Sequence, residues 1–400
     1  MKASFYHVFD PEAELARWDW IHSPAELRCY SIRLSSVPHA VASIVREEGA
    51  ALGLTSGRLR SANGTVNAKS EMLVQGTEKS LKELSEKLKR SGGEAAACGE
   101  SILGLLRRAR RRLPGLLQLG RHRLPLGKRT LIMGILNLTP DSFSDGGKYN
   151  NLSAAVARAQ QMVEEGADII DIGGESTRPG YRGISEAEEI SRVLPVIEAL
   201  KSNPDFSAPL SIDTYKAGVA RAALEAGVEM VNDIWGLKAD PQLAEVTASY
   251  GVPICLMHNR NSTVYRDLIP EVIWELQESI NLARAAGIAD DRIIIDPGIG
   301  FGKNLGQNLI VMQHLGDFRG LGYPLLLGTS RKSMIGKTLH LPPEERLEGT
   351  AATVAQGIAA GAEIIRVHDV KEMYRVARMT DAIIRSQKEE TNGNVCPYPD

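Results

Sequence analysis

The sequence predicts an α/β fold: a (β/α)8 TIM barrel with an additional small N-terminal α+β domain. Three observations favour this fold class. Eight apolar runs of strand length lie between Leu131 and Asp369, each run ends at polar or charged residues, and a helix-like pattern follows each run. Because the runs are continuously apolar, they are typical of parallel strands buried on both faces. A doubly wound sheet is the alternative, but it lacks a GxGxxG turn here.

The strands and helices of the barrel can be placed in order. The predicted strands are 130–138, 168–172, 210–213, 230–234, 253–257, 292–296, 324–327 and 364–367. Ser153 is expected to cap the first helix, which Gly166 ends. Ser185 is expected to cap the second, with Glu188 three residues on as in a capping box.

The barrel accounts for residues 116–390, and residues 1–115 form a separate small α+β domain whose role the sequence does not indicate. Strands are expected at 29–34 and 71–75 and helices at 41–52 and after Thr77, which fits a split βαβ arrangement. Residues 91–100 are expected to be a soft connecting stretch. Apolar, turn-punctuated pieces at 117–120 and 124–127 predict a hairpin that closes the bottom of the barrel.

Composition narrows the class of protein. With 43% hydrophobic and 24% charged residues, the chain is typical of a globular protein with an ample core. A formal net charge of -2 predicts no global attraction to nucleic acid or to an anionic membrane. The four cysteines are scattered without CxxC spacing, and no signal pattern or membrane-spanning run is present, so we expect reduced thiols and a cytoplasmic location.

Cations follow the last two predicted strands. Arg366 and His368 lie two residues apart at the end of the eighth strand, so their side chains point to the same side. Guanidinium and imidazole suit a phosphate group, which the last strands of such barrels often bind. Ser330–Lys332 adds two more cations at the end of the seventh strand. Ion pairing of Arg366 with Asp369 or a neighbouring strand, and a solvated rim at 330–332, remain the alternatives.

Two acids end strands at the same predicted mouth. Asp213 and Asp296 follow apolar runs, so both carboxylates are partly desolvated and need donors. A metal ion, a lysine such as Lys332, or a ligand with a row of N–H groups would supply them. Each strand offers one such group, interleaved with Asn232, which favours recognition of a heterocycle edge over a metal cage. Two structural salt bridges are the alternative.

Two polar loops follow the first two strands, at 137–147 and 173–180. Glycine and proline exclude regular structure there, and the polar side chains make a poor core. Mobile lids over the mouth and ordinary surface turns fit these loops equally well. Phe143 favours a lid slightly, because an apolar ring on a loop needs something to cover.

Five motifs together closely resemble dihydropteroate synthases, which belong to the pterin-binding family. They are Met133-Gly-Ile-Leu-Asn-Leu-Thr-Pro-Asp-Ser-Phe-Ser-Asp-Gly-Gly147, Gly173-Gly-Glu-Ser-Thr-Arg-Pro-Gly180, Asp296-Pro-Gly-Ile-Gly-Phe-Gly302, Ser330-Arg-Lys-Ser333 and Arg366-Val-His-Asp-Val370. The resemblance covers residues 117–387. It implies a transferase of folate biosynthesis that joins 6-hydroxymethyl-7,8-dihydropterin diphosphate to 4-aminobenzoate and releases pyrophosphate, and it implies a homodimer.

The resemblance also assigns roles to individual residues. Those expected to form the pterin pocket are Asp213, Asn232, Asp296, Lys332, Met257 and Phe301. Those expected to hold the diphosphate are Arg178, Arg366 and His368, and Asn137 is expected to help hold Mg2+. Those expected to border the aminobenzoate are Thr177, Pro179, Ser330 and the adjacent Arg331, with Phe143 and Asp145 on the closing first loop. Catalysis is expected to rest on Asp213, Asp296, Lys332, Arg366 and His368.

Two other functions remain open from the sequence. One is a folate-binding methyltransferase of the same superfamily that passes a methyl group to a corrinoid, which would not need the cations at 330–332 and 366–368. The other is a non-catalytic pterin-binding or scaffold protein whose partner docks on the first 115 residues. Pyrophosphate release that depends on both substrates separates the three, and binding of sulfonamides would favour the synthase.

Overall fold

The computed structural model describes residues 2–9, 29–58, 69–109, 115–139, 148–175 and 183–385. The chain forms two compact units. The first is bounded as residues 1–112 with 317–322, and the second as residues 113–316 with 323–400.

The first unit contains an antiparallel sheet whose described strands are β1 (Lys2–Phe9), β2 (Cys29–Pro38), β3 (Thr55–Arg58) and β4 (Lys69–Thr77). Their order in the sheet is β1-β2-β4-β3. Strand β4 pairs antiparallel with both β2 and β3, so those two strands are parallel to each other. Helix α1 (His39–Ala51) connects them. This is the split βαβ arrangement that the sequence predicts, with β1 added at one edge.

Two further helices of this unit lie in the described ranges. Helix α2 (Glu78–Arg90) begins as predicted, because the Thr77 hydroxyl accepts a hydrogen bond from the Ser80 N–H at 3.3 Å. The predicted connecting stretch at 91–100 is wrong, since helix α3 (Gly93–Ala109) covers most of it. Alanine is the best helix former, and Ala95 and Cys98 join the apolar core of the unit.

The second unit begins with strands β5 (Leu116–Leu119) and β6 (His122–Pro125). The eight strands that follow are β7 (Leu131–Asn137), β8 (Ile169–Gly173), β9 (Leu210–Asp213), β10 (Met230–Asp233), β11 (Ile254–Met257), β12 (Ile293–Asp296), β13 (Leu326–Leu327) and β14 (Ile364–Val367). They agree with the predicted strands to within two residues at each end.

These eight strands form one parallel sheet. Strands β7 to β12 lie side by side in chain order, β14 pairs with β7, and β13 pairs with β14. A parallel bridge between Ile295 and Leu325 joins β12 to the residues just before β13. The Ile295 N–H also donates to the Pro324 carbonyl at 3.0 Å. The sheet therefore closes on itself as the predicted (β/α)8 barrel.

Helices alternate with the barrel strands. They are α4 (Lys148–Glu164), α5 (Glu186–Ser202), α6 (Ala217–Glu225), α7 (Gln242–Tyr250), α8 (Leu268–Ala285), α9 (Leu305–Gln313), α10 (Ser333–Leu339), α11 (Leu347–Ala359) and α12 (Val370–Arg385). Among the helices in the described ranges, none combines the length and apolarity that a membrane span requires.

Of the two caps predicted for the barrel helices, one is confirmed. The Ser185 hydroxyl accepts a hydrogen bond from the Glu188 N–H at 3.2 Å and begins α5. The Ser153 cap is wrong, because α4 already begins at Lys148. No glycine or proline separates Lys148 from Ser153, so nothing stops the helix from extending towards its N-terminus.

The hairpin β5–β6 closes the amino-terminal end of the barrel, as predicted. Leu117 and Leu119 are fully buried and pack in one apolar cluster with interior residues at the starts of the strands, such as Met133, Met230 and Ile294. A layer of apolar side chains thus fills this end of the barrel, and the polar residues that end the strands lie at the opposite end.

The replacement Leu117→Ala should lower the free energy of unfolding by about 2–5 kcal/mol, because it leaves a cavity under the barrel. Urea denaturation followed by circular dichroism measures the change. Leu116→Ala is the matched control, since Leu116 lies next to it on the same strand and is 40% exposed; its cost should stay within about 0.5 kcal/mol. Equal losses in the two variants would contradict the role of the hairpin as a plug.

Candidate active site

The register of the parallel strands aligns polar residues at the mouth of the barrel. Asn137 on β7 pairs with Gly173 on β8, Gly173 with Asp213 on β9, and Asp213 with Asn232 on β10. A methyl group on Gly173 would lie 3.6 Å from Asn137 Oδ1 and 3.7 Å from Asp213 Oδ2. The missing side chain at position 173 therefore opens a gap that the amide of Asn137 and the carboxylate of Asp213 both border.

A buried network links two residues of this row, Asp213 and Asn232, to Asp171 and Arg366. Arg366 Nε donates to Asp171 Oδ2 at 2.6 Å, and one Nη of Arg366 donates to Asp213 Oδ2 at 2.5 Å. Asn232 Nδ2 donates to Asp171 Oδ2 at 2.9 Å. Asp171 Oδ1 and Asp213 Oδ1 are buried and have no hydrogen-bond partner within the described ranges. The cluster thus holds acceptors that a ligand with N–H groups would satisfy.

The electrostatics of the cluster follow from its burial. Burial, opposed by Arg366 and reinforced by the neighbouring carboxylate of Asp171, raises the pKa of Asp213 to about 7. Burial alone would lower the pKa of Arg366, but the two carboxylates outweigh it and raise that pKa. The guanidinium therefore stays charged, and further N–H donors to Asp213 would favour its ionised form.

A second pair of groups stands at the end of β12. The Asp296 carboxylate accepts a hydrogen bond from the Gly298 N–H at 2.7 Å. The ammonium of Lys332 donates to the Ile299 carbonyl and lies 4.7 Å from the centre of the Phe301 ring. Burial raises the pKa of Asp296 and lowers the pKa of Lys332 to about 8, and each group opposes the shift of the other.

Two glycines give the loop after β12 its shape. Gly298 has a φ of +70°, and a methyl group there would lie 1.9 Å from the His258 carbonyl oxygen. Gly300 has a φ of +87°, and a methyl group there would lie 3.1 Å from Lys332 Cδ. Both the left-handed backbone and the close approach require glycine. The loop can therefore pass directly beside Lys332.

Side chains of both groups border one position at the end of β13, and Lys332 interacts through charge with both Asp296 and Arg366. A methyl group on Gly328 would lie 3.8 Å from Arg366 Cβ, 3.8 Å from Lys332 Nζ and 3.9 Å from Asp296 Oδ2. Since Arg366 also binds Asp213, the structure brings together four of the predicted catalytic residues. Met257, fully buried beside them, pairs in register with Asp296.

Two other predicted site residues after β13 and β14, His368 and Arg331, make different contacts. His368 follows β14, and both its N–H, at 3.1 Å, and its Nδ1, at 3.0 Å, lie within hydrogen-bond distance of the Ser330 hydroxyl. Arg331 instead binds the Asp369 carboxylate, its side chain is 40% exposed, and no described contact brings it to the charge cluster. The solvated rim that the sequence allows at 330–332 thus describes Arg331, whereas Lys332 belongs to the charge cluster.

Several predicted site residues lie outside the described ranges. They are Phe143, Asp145, Thr177, Arg178 and Pro179. Within those ranges, no group of three or more histidine, cysteine, aspartate or glutamate side chains is arranged to hold a metal ion.

Sequence reasoning missed Asp171, which binds both Arg366 and Asn232. A signal for it was present, because Asp171 interrupts the apolar run Ile169-Ile-Asp-Ile172 in the middle of a predicted buried strand. A carboxylate at such a position must meet a buried cation or donor.

Comparison with known proteins defines the class. Residues 133–368 match the family model described as pterin binding enzyme. The barrel and its charged mouth therefore define an enzyme of the pterin-binding class. A dihydropteroate synthase of Clostridium beijerinckii is 57% identical over 270 residues, which cover 67% of this chain and all of that protein. The chain belongs to the dihydropteroate synthases, which are transferases of folate biosynthesis, as the five motifs indicate.

Solved structures of the same family support this assignment. A dihydropteroate synthase from Clostridium difficile, determined in the presence of pteroic acid, is 53% identical with a TM-score of 0.64, and the match covers 65% of this chain and 98% of that one. A Xanthomonas albilineans dihydropteroate synthase with 4-aminobenzoic acid is 42% identical with a TM-score of 0.64. The match covers 68% of this chain and 98% of that one. About a third of this chain lies outside each match.

The replacement Asp171→Asn should lower the pKa of Asp213 below its value of about 7, because the charge of Asp171 is one of the causes that raise it. Carboxyl ¹³C NMR titration measures this pKa. Asp205→Asn is the control, since Asp205 is exposed and should leave the Asp213 titration unchanged. An unchanged or higher midpoint in Asp171→Asn would show that the two carboxylates do not interact through charge.

Proposed function

We propose that the charge cluster at the barrel mouth binds the pterin ring and promotes loss of its diphosphate, so that 4-aminobenzoate can capture the ring and form 7,8-dihydropteroate. The observation that carries this proposal is the convergence of Asp296, Lys332 and Arg366 on one point, with Asp213 bound to the same guanidinium. The reaction itself is that of the family to which the chain belongs.

Recognition of the pterin rests on acceptors and one donor. A carboxylate can accept hydrogen bonds from a ring N–H and from the 2-amino group, while an ammonium donates to the ring carbonyl. Asp213 and Asp296 supply the carboxylates and Lys332 the ammonium. Asp213 keeps a buried oxygen with no hydrogen-bond partner in the described ranges, so a ring with several N–H groups suits the pocket. Phe301, near Lys332, and buried Met257 supply apolar contacts.

Binding of the diphosphate rests on the groups after β13 and β14. Arg366 uses two of the five donors of its guanidinium for Asp171 and Asp213, which leaves others for a phosphate oxygen. If the Ser330 hydroxyl accepts from the His368 N–H and donates to Nδ1, the neutral imidazole carries its proton on Nε2. That tautomer presents His368 as a donor. Arg178 is assigned to the same diphosphate.

Mg2+ is the proposed metal. The ion prefers oxygen ligands and usually binds through one or two protein oxygens together with substrate phosphates and water. Asn137 Oδ1 borders the gap beside Gly173 and is an oxygen ligand of the required kind, so the residues present fit the ion. Bound there with the diphosphate, Mg2+ would neutralise charge on the leaving group.

The aminobenzoate site is assigned to the loops around this mouth. Thr177 and Pro179 would border the aryl ring together with Ser330, which the described contacts place beside His368. Phe143 and Asp145 would close over the mouth on the first loop, with Arg331 at the rim. Exclusion of water by this closure would protect the reactive ring.

The proposed mechanism is a dissociative substitution. The C–O bond to the diphosphate breaks first, its electron pair leaves with the diphosphate, and the aryl amine then forms the new C–N bond and loses a proton. Asp213 and Asp296 favour positive charge on the ring in this step, and Arg366 and His368 favour negative charge on the leaving group. No strong base or covalent nucleophile is needed.

We assign the reaction to residues 116–390 and a separate role to residues 1–115, because the Clostridium beijerinckii relative is matched in full by 67% of this chain.

A homodimer through barrel helices is supported by large apolar side chains that α8 and α12 expose, such as Leu282 and Met379. Free thiols at the described cysteines support a cytosolic location.

The replacement Asp296→Asn should lower turnover at saturating concentrations of both substrates by about 100-fold or more, because it removes a charge that stabilises the developing cation. Pyrophosphate release that requires both substrates is the measurement. Asp291→Asn is the matched control, since Asp291 is exposed just before β12. Turnover within a few-fold of the parent would show that the charge argument is wrong.

The replacement His368→Ala should raise the Kd of inorganic pyrophosphate about ten-fold and leave that of 6-hydroxymethylpterin within about two-fold, since it removes one donor to the phosphate only. Isothermal titration calorimetry measures both constants. Lys371→Ala, which removes an exposed cation three residues further on, should change neither. Equal weakening of both ligands would contradict the division into pterin and diphosphate sites.

A further inference from the structure

A buried lysine lies directly after the loop that follows β12. Lys303 is 8% exposed, and its Nζ lies 2.9 Å from His258 Nδ1, 3.0 Å from the Gly298 carbonyl oxygen and 3.1 Å from the Phe301 carbonyl oxygen. An ammonium has three protons, so it can donate to all three acceptors at once. Lys303 thus binds the loop at two of its peptide groups from within the protein.

His258 links this lysine to a carboxylate on α8. Its Nε2 lies 3.0 Å from Glu275 Oε2, and Glu275 Oε1 accepts a hydrogen bond from Arg260 at 3.2 Å. Because Glu275 is an acceptor, Nε2 carries a proton, and Nδ1 of a neutral imidazole is then the acceptor for Lys303. The chain Lys303–His258–Glu275 therefore has one consistent arrangement of donors and acceptors.

The pKa values agree with this arrangement. Burial lowers the pKa of His258 to about 4, and Glu275 opposes that shift only in part. Burial also lowers the pKa of Lys303, to about 7, while the carboxylate of Asp296 opposes the shift. Since the imidazole is the weaker base of the two, the shared proton belongs to Lys303.

The peptide groups that Lys303 binds belong to the loop that forms one wall of the pterin pocket. Gly298 donates its N–H to Asp296 and offers its carbonyl to Lys303. Ile299 offers its carbonyl to Lys332. Phe301 offers its carbonyl to Lys303, and its ring lies near the ammonium of Lys332. The position of Lys303 thus bears on the position of both proposed pterin contacts.

We propose that Lys303, oriented by His258 and Glu275, is a positioning residue for pterin recognition: its ammonium fixes the carbonyls of Gly298 and Phe301 and thereby the placement of Asp296 and Lys332. The inference rests on the assignment of Asp296 and Lys332 to the pterin pocket. In this proposal Lys303 acts through the loop and contacts neither the ring nor the diphosphate itself.

Loss of the lysine should alter the loop without unfolding it. Asn308 on α9 binds the same loop independently, since its Oδ1 accepts from the Gly300 N–H at 2.6 Å. Asn304 and Gln307 form a complete capping box that begins α9. These contacts do not involve the Lys303 ammonium, so they persist when the ammonium is removed.

The test compares Lys303→Met with the parent chain. The Kd of 6-hydroxymethylpterin should rise about ten-fold or more, because the loop loses charged hydrogen bonds, while the Kd of inorganic pyrophosphate should stay within about two-fold. Lys337→Met is the matched control, since Lys337 is exposed on α10 and should change neither constant. A melting temperature near that of the parent would confirm that the variant is folded.

A second pair of variants keeps the test decisive if Lys303→Met does not fold. In the variant His258→Asn, the side-chain amide oxygen can replace Nδ1 as the acceptor for Lys303. The variant His258→Leu has no acceptor at this position. Pterin affinity should therefore stay within about three-fold of the parent in the first and fall about ten-fold in the second.

Three outcomes would overturn the inference. Parent-like pterin affinity in folded Lys303→Met would do so, as would equal losses of pterin and pyrophosphate affinity, or equal affinities in the two His258 variants. Failure of the parent chain to bind pterin would instead remove the proposed pocket and this inference with it.

Discussion

Charge compensation by Arg366 is the interaction on which the mouth of the barrel depends. Its guanidinium binds Asp171 and Asp213, two carboxylates that would otherwise repel each other in a region from which water is excluded. Because one guanidinium serves both, each carboxylate keeps an oxygen with no partner in the described part of the chain. Hydrogen bonds that a ligand makes to these oxygens are stronger than they would be in water.

The fold could be predicted from the sequence because its signals are local. Each barrel strand is a continuous apolar run that ends at a polar residue, and the observed strands agree with those runs closely. Predictions that depended on where a helix begins were less reliable. Helix α4 begins at Lys148 rather than at Ser153, and helix α3 begins at Gly93 within an expected connecting stretch, since the residues there tolerate a helix.

The candidate site was only partly predictable, for a different reason. Asp213, Asp296 and Arg366 stand at strand ends, Lys332 lies between β13 and α10, and the barrel alone brings these positions together. Asp171 and Lys303 do not stand at strand ends, and their partners are distant in sequence: Arg366 for Asp171, and His258 for Lys303. Only the folded chain shows which buried charge meets which, because the pairing depends on side-chain direction and depth as well as on sequence position.

The hairpin under the barrel has a consequence for the order of events at the opposite end. Leu117 and Leu119 fill the amino-terminal end of the cylinder, so the described residues leave access to the charge cluster from the opposite end. A molecule bound deep in the barrel therefore has to bind before one that lies nearer the mouth. It can leave only after the outer molecule has left or while it is joined to that molecule. A reaction that joins the inner and outer molecules suits a barrel filled at its other end, because the joined product leaves as one molecule.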